Sequence, residues 1–210
     1  MSYFSLEKES FTEFTEKKSV FYGSAKPVST EEEALSFIAS VRKKYSDATH
    51  NVYAYVLRDN NISRFSDDGE PHGTAGLPVL DVLRKEGITD AVIVVTRYFG
   101  GILLGAGGLV RAYTASAKSA VDEAGKAEWR SFTVVTVECD YSEHQKLSYY
   151  YKKNDIIVIG TEYGSSVTSR LCIKSENAET FAADVSSLTN GKARTQTVGE
   201  EYRPARAENN

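Results

Sequence analysis

Five glycines fall between Gly100 and Gly108, inside the run TRYFGGILLGAGGLVRAY (96–113). Ahead of them Ala91 to Val95 reads as a buried strand, and behind them Leu109 to Val121 has an alanine-rich helical pattern. Strand must therefore pass to helix through residues without side chains. Backbone N–H groups and a helix N-terminus are then free to cradle an anion. Arg97 and Arg111 place positive charge on either side. Gly100, Gly101, Gly105, Gly107 and Gly108 with these two arginines form the candidate phosphate- or RNA-binding set. The competing reading is that the glycines only permit tight turns and close helix–strand packing. The stretch is neither a P-loop nor a Rossmann fingerprint: it lacks Gly-Lys-Ser/Thr, and no acidic residue in a following strand could hold a ribose.

Further upstream, Ser10 to Val28 reads as two strands about Lys17–Lys18. Ser29 or Thr30 can cap a helix running to about Lys44, with Glu32 or Glu33 closing a capping box. HNVYAYVL (50–57) alternates as a strand, Asn60–Asn61 suits a hairpin tip, and a helix is predicted from about Thr74 to Lys85. From Ser131 the pattern restarts as strand, helix, two strands, helix and strand, the ferredoxin-like βαββαβ order. Two domains are expected, 1–128 and 129–204, joined by a linker at 124–130 and followed by a polar tail at 205–210.

Composition removes several classes. No apolar run reaches the eighteen or so residues of a membrane span, and the N-terminus is too charged for a secretory signal, so a cytoplasmic protein without a membrane partner is expected. The net charge is −4, with 16 basic against 18 acidic residues up to residue 130 and 9 against 11 beyond it. Neither half is basic, so any nucleic-acid contact must come from a local patch and be salt-sensitive. Cys139 and Cys172 read as reduced, buried thiols without metal-ligand spacing.

The other dense constellation is Asp67, Asp68, Glu70 and His72 in one loop. Three carboxylates so close repel one another unless a cation, an arginine or helix N-terminal amides neutralise them. Three readings stay open: a Mg²⁺ site on Asp67, Asp68 and Glu70, a carboxylate that holds Arg97 or Arg111, or a solvated acidic turn. His50, at the start of its strand, is a further candidate. No catalytic residue can be named, since no serine or cysteine sits in a nucleophile elbow.

SDDGEPHGTAGLPVL (66–80) and VVTRYFGGILLGAGGLVRAY (94–113) resemble the signature of the YigZ/IMPACT family, and ATHNVYAYVL (48–57) resembles its histidine-led strand. The second half is similar to the ferredoxin-like domain of the bacterial two-domain members. One departure is Val52–Tyr53, where the bacterial pattern tends to have Cys-Trp, which argues against a thiol role for that strand. The resemblance implies an α+β chain: a ribosomal protein S5 domain 2-like first domain, with helices on one face of a small mixed sheet, then the ferredoxin-like domain. Eukaryotic IMPACT is a translational regulator of the amino-acid-starvation pathway, and its contacts there depend partly on a further N-terminal domain. By resemblance this chain is expected to be translation-associated, to contact RNA or the ribosome, and not to be an enzyme. The alternative is an enzyme or binding protein for a phosphorylated small molecule, with or without Mg²⁺. The oligomeric state is not legible.

Overall fold

The computed structural model describes residues 2–205, so all but the first residue of the expected 205–210 tail lies outside the described residues. The chain divides into two compact units, Tyr3–Glu128 and a second built from Trp129 onward.

After a short strand β1 (Ser2–Leu6), the first unit builds one sheet from β2 (Ser10–Glu16), β3 (Ser19–Pro27), β4 (His50–Leu57), β5 (Ile62–Ser66) and β6 (Ala91–Tyr98), in the order β2-β3-β6-β4-β5. Every neighbouring pair is antiparallel. β3 and β4 therefore run the same way with β6 between them, and β5 and β6 run the same way about β4. Helix α1 (Glu31–Lys44) makes the first crossover and α2 (Gly76–Glu86) the second. They pass over opposite faces. Phe37, Ile38 and Val41 pack with Tyr55, Val92 and Val94 on one side. On the other, Val79 and Leu83 of α2 and Tyr113 and Ala117 of α3 (Gly105–Ala124) pack with Val52, Ile93 and Val95.

The sheet is thus antiparallel throughout rather than mixed, and helices cover both faces rather than one. The reason lies in β6, whose residues from Ala91 to Val95 are all buried. An unbroken apolar strand needs cover above and below. Helix α3 also starts at Gly105, one turn earlier than the pattern from Leu109 predicts.

Local chemistry follows the sequence closely elsewhere. Lys17 and Lys18 (φ 46° and 68°) and Asn60 and Asn61 (φ 54° and 50°) take left-handed conformations at the tips of the two hairpins. Thr30 caps α1 by accepting the Glu33 N–H at 3.2 Å, while the Glu33 carboxylate accepts the Ser29 N–H at 2.6 Å.

The second unit runs β7 (Lys126–Cys139), α4 (Tyr141–Lys153), β8 (Ile157–Tyr163), β9 (Val167–Lys174), α5 (Ala178–Leu188) and β10 (Arg194–Pro204). Its antiparallel strands lie in the order β10-β7-β9-β8, the ferredoxin-like arrangement. Most of the stretch expected to be a linker, 124–130, is strand, since β7 starts at Lys126. Both cysteines are free and buried. Cys139 packs among Leu147 and Tyr151, whereas Cys172 belongs to a separate cluster with Phe132 and Val134. Burial, helped by the hydrogen bond to Glu201, raises the Cys172 thiol to about 11, so it stays protonated. Among the described residues no helix is long and apolar enough to cross a membrane.

Two glycines of the same turn make opposite demands. A Cβ on Gly100 would lie 2.0 Å from the Lys18 backbone, whereas one on Gly107 meets nothing nearer than the Arg111 guanidinium at 3.6 Å. Gly100→Ala should lose about 1–3 kcal/mol of stability through overpacking. Gly107→Ala should gain up to about 1 kcal/mol from helix propensity. Urea denaturation of the two variants checks the contrast, and losses of equal size would contradict it.

Candidate functional site

Strand register brings three side chains side by side at one end of the first sheet. Arg97 of β6 pairs with His50 of β4 on one side and with Phe21 of β3 on the other. Residues opposite one another in a sheet point to the same face, here the face that carries α3. Glu70 reaches this row from the loop between β5 and α2. Its Oε1 accepts the Arg97 guanidinium at 2.6 Å and the Tyr113 hydroxyl at 2.7 Å. Arg97 and Glu70 keep only 6% and 4% of their side-chain surface exposed.

Arg97 is held from several directions. Its guanidinium lies 5.5 Å from the ring centres of both Phe21 and Phe99. Its other terminal nitrogen donates to Ser19 Oγ at 3.4 Å, and that oxygen also accepts the Gly100 N–H at 3.2 Å. Burial and the neighbouring Glu70 carboxylate push the Tyr113 phenol far above its usual range, so it remains a donor. His50 approaches the same carboxylate, with Nε2 at 3.8 Å from Glu70 Oε1, and its Nδ1 lies 2.8 Å from the Asp68 carbonyl oxygen.

The other two loop carboxylates do different work. Asp67 accepts the N–H groups of Gly73 at 2.9 Å, Ala75 at 3.2 Å and Gly76 at 2.8 Å. It thereby caps α2, whose own N-cap residue, Ala75, offers no side-chain hydrogen bond. Asp68 accepts from Arg42 and from the Asn51 N–H, each at 2.6 Å. The three carboxylates face separate partners and do not converge on a common point. Among the described residues no group of three His, Cys, Asp or Glu is arranged to hold a metal ion. His72, with 98% of its side chain exposed, stands outside this network at 3.6 Å from Asp67.

Above the buried cluster lies the glycine-rich turn. Gly101 and Gly105 take φ of 80° and 71°, which glycine alone adopts freely. Gly105 and Gly107 are exposed in the first turn of α3, with Gly108 half-buried beside them. That helix start has no side-chain cap, since its N-cap residue is Leu104. Exposed Arg111 sits one turn on, its guanidinium beside Gly107. Apolar side chains flank the turn in water: Leu103 is 84% exposed, Phe99 45% and Ile102 42%.

Of the sequence-predicted residues, Gly105, Gly107, Gly108 and Arg111 therefore share one exposed helix start. Arg97, Glu70 and His50 gather beneath the surface, and Gly100 and Gly101 form the connection between the two groups. Sequence reasoning missed Tyr113, Ser19 and Arg42. Tyr113 had a signal, since a large side chain with a polar tip interrupts an alanine-rich helical face. Ser19 and Arg42 had none, because their roles depend on contacts with residues 78 and 26 positions away.

Residues 17–121 match the Impact N-terminal domain. The chain belongs to the IMPACT family. A second match, to a domain of unknown function termed DUF1949, covers residues 137–192. The chain is 37% identical over 193 residues to the IMPACT family member YvyE of Bacillus subtilis strain 168, covering 91% of this chain and 89% of that one. It is 33% identical over 172 residues to YigZ of Escherichia coli strain K12, covering 80% of this chain and 84% of that one. A crystal structure described only as that of a hypothetical protein aligns with a TM-score of 0.62 at 30% identity, covering 94% of this chain and 97% of the other. The Impact N-terminal match encloses every site residue named above, from Ser19 to Tyr113.

Removing the Glu70 charge tests the buried cluster. Glu70→Gln leaves the Arg97 guanidinium buried without its counter-ion, and should cost about 3–5 kcal/mol. Tyr113→Phe removes one hydrogen bond to a carboxylate and should cost about 1.5–3 kcal/mol. Chemical denaturation of both variants gives the comparison. A Glu70→Gln loss below about 1 kcal/mol would show that Arg97 finds other compensation.

Proposed function

We propose that this IMPACT family protein is a translation-associated regulator that contacts RNA or the ribosome, holding backbone phosphates at the start of α3. One observation carries the reading: Gly107 is glycine where the fold does not require it. Its φ is not left-handed, and a Cβ there would meet only the Arg111 side chain. What its absent side chain leaves open is close approach to the exposed, uncapped N–H groups of the first helical turn. Backbone amides at a helix start, with a guanidinium beside them, suit a phosphate.

Arg97 enters this reading as a positioning residue. Buried against Glu70, it fixes the end of β6 and, through the shared Ser19 hydroxyl, the Gly100 N–H from which the turn departs. Phosphate contacts position a partner without reading bases, so little sequence preference is expected. With a net charge of −4, binding should be modest and strongly salt-dependent.

The test is binding of the purified chain to ribosomes and to short single-stranded RNA at two salt concentrations. Arg111 is exposed, so Arg111→Ala should leave stability unchanged while weakening binding and reducing the salt slope by about one. Gly107→Ala should weaken binding although it stabilises the helix. Unchanged affinity and slope in a folded Arg111→Ala protein would overturn the assignment. Stabilisation by sugar phosphates or nucleotides, without RNA binding, would point to a phosphorylated small molecule at the same turn.

A further inference from the structure

A second site, independent of the first domain, lies within the ferredoxin-like unit. His144, Ser148, Tyr151 and Lys152 of α4 recur at helical spacing and line one wall of a cavity of about 380 Å³. Strands β8 and β9 supply the opposite wall. A β-bulge interrupts β8 between Val158 and Gly160, so that Val158 and Thr161, three residues apart, both line the cavity. Thr161 pairs in register with Ser169, bringing two hydroxyl side chains together there.

The lining is polar in one sense only. Among the described residues five hydroxyl-bearing side chains, a histidine and a lysine line the cavity, and no carboxylate does. Tyr151 is 2% exposed, yet its hydroxyl has no hydrogen-bond partner among the described residues, and neither has His144 Nδ1. Buried polar groups are nearly always paired, so a buried phenol lining a cavity without a partner is a donor waiting for an acceptor. Burial raises the phenol's pKa, which keeps that proton in place. Ile156 and Val158 add an apolar side. The volume sits at the small end of the about 300–1,000 Å³ range of ligand pockets.

We infer that this cavity binds a small organic carboxylate, whose oxygens accept from the Tyr151 hydroxyl and the Lys152 ammonium while its short carbon chain lies against Val158. An acceptor-only group satisfies the stranded phenol, and the absence of lining carboxylates avoids repulsion. A cationic ligand would be repelled by the Lys152 ammonium.

The experiment is an amide-resolved NMR titration of the full chain with sodium butyrate and, separately, with sodium phosphate, at ionic strength held constant with sodium chloride. Saturable shifts in α4 and β8 with butyrate are expected. Tyr151→Phe removes the unpartnered hydroxyl alone, so it should not lower thermal stability, and it should weaken butyrate binding about tenfold. Lys152→Gln should weaken it similarly. No saturable shift with either salt up to about 50 mM, well beyond millimolar affinity, overturns the site. Saturation by phosphate alone overturns the carboxylate assignment. A stability loss in Tyr151→Phe would show that the hydroxyl is already satisfied within the fold, which also overturns it.

Discussion

Glu70 stands where three separate segments of the first domain converge. It belongs to the loop after β5, binds Arg97 at the end of β6, and accepts from Tyr113 in the third turn of α3. Both charges of the pair lie in the interior, where an unpaired ion is costly and a hydrogen-bonded pair is tolerated. Moving the loop or the strand end would strand a charge, and moving the helix would cost the buried carboxylate a hydrogen bond. The loop, the strand end and the helix start are therefore fixed together, and the glycine-rich turn between strand and helix inherits that position.

This arrangement separates charge that holds the fold from charge that is free to meet a partner. Asp67 is spent on the N–H groups that open α2, Asp68 on Arg42 and the Asn51 N–H, and Glu70 on Arg97. What remains at the surface is a helix start with no side-chain cap and the exposed Arg111. The carboxylates of the acidic loop are each paired within the domain, so the loop does not repel an anion at the turn as strongly as its sequence suggests. The neighbouring exposed Phe99, Ile102 and Leu103 give the same surface an apolar component, suited to stacking or packing beside a phosphate contact.

The second domain works by a different logic. Its frame is the regular antiparallel order β10-β7-β9-β8, and its features of interest arise where that regularity fails. The bulge in β8 redirects Val158 and Thr161, and beside the resulting space a buried tyrosine hydroxyl has no partner among the described residues. Bulges re-aim side chains at the cost of ladder hydrogen bonds, which makes them informative about sites.

Much of the architecture was legible beforehand because it rests on short-range chemistry. The Thr30–Glu33 capping box, the left-handed tips at Lys17–Lys18 and Asn60–Asn61, and the βαββαβ order after residue 130 all follow from neighbouring residues. The residues of the site were legible too, as an acidic loop, a histidine-led strand and a glycine-rich turn between two arginines. Their division of labour was not. Nothing in the local pattern says that Arg97 turns inward and Arg111 outward, that Asp67 caps a helix eight or nine residues on, or that the sheet carries helices on both faces. Those outcomes depend on register between β3, β6 and β4 and on which carboxylate reaches which cation across the fold. Sequence alone determined which chemical groups were available and the local structure that carries them. Only tertiary structure decided which charges cancel in the interior and which stay exposed, because desolvation is set by packing around a residue and not by its neighbours in the chain.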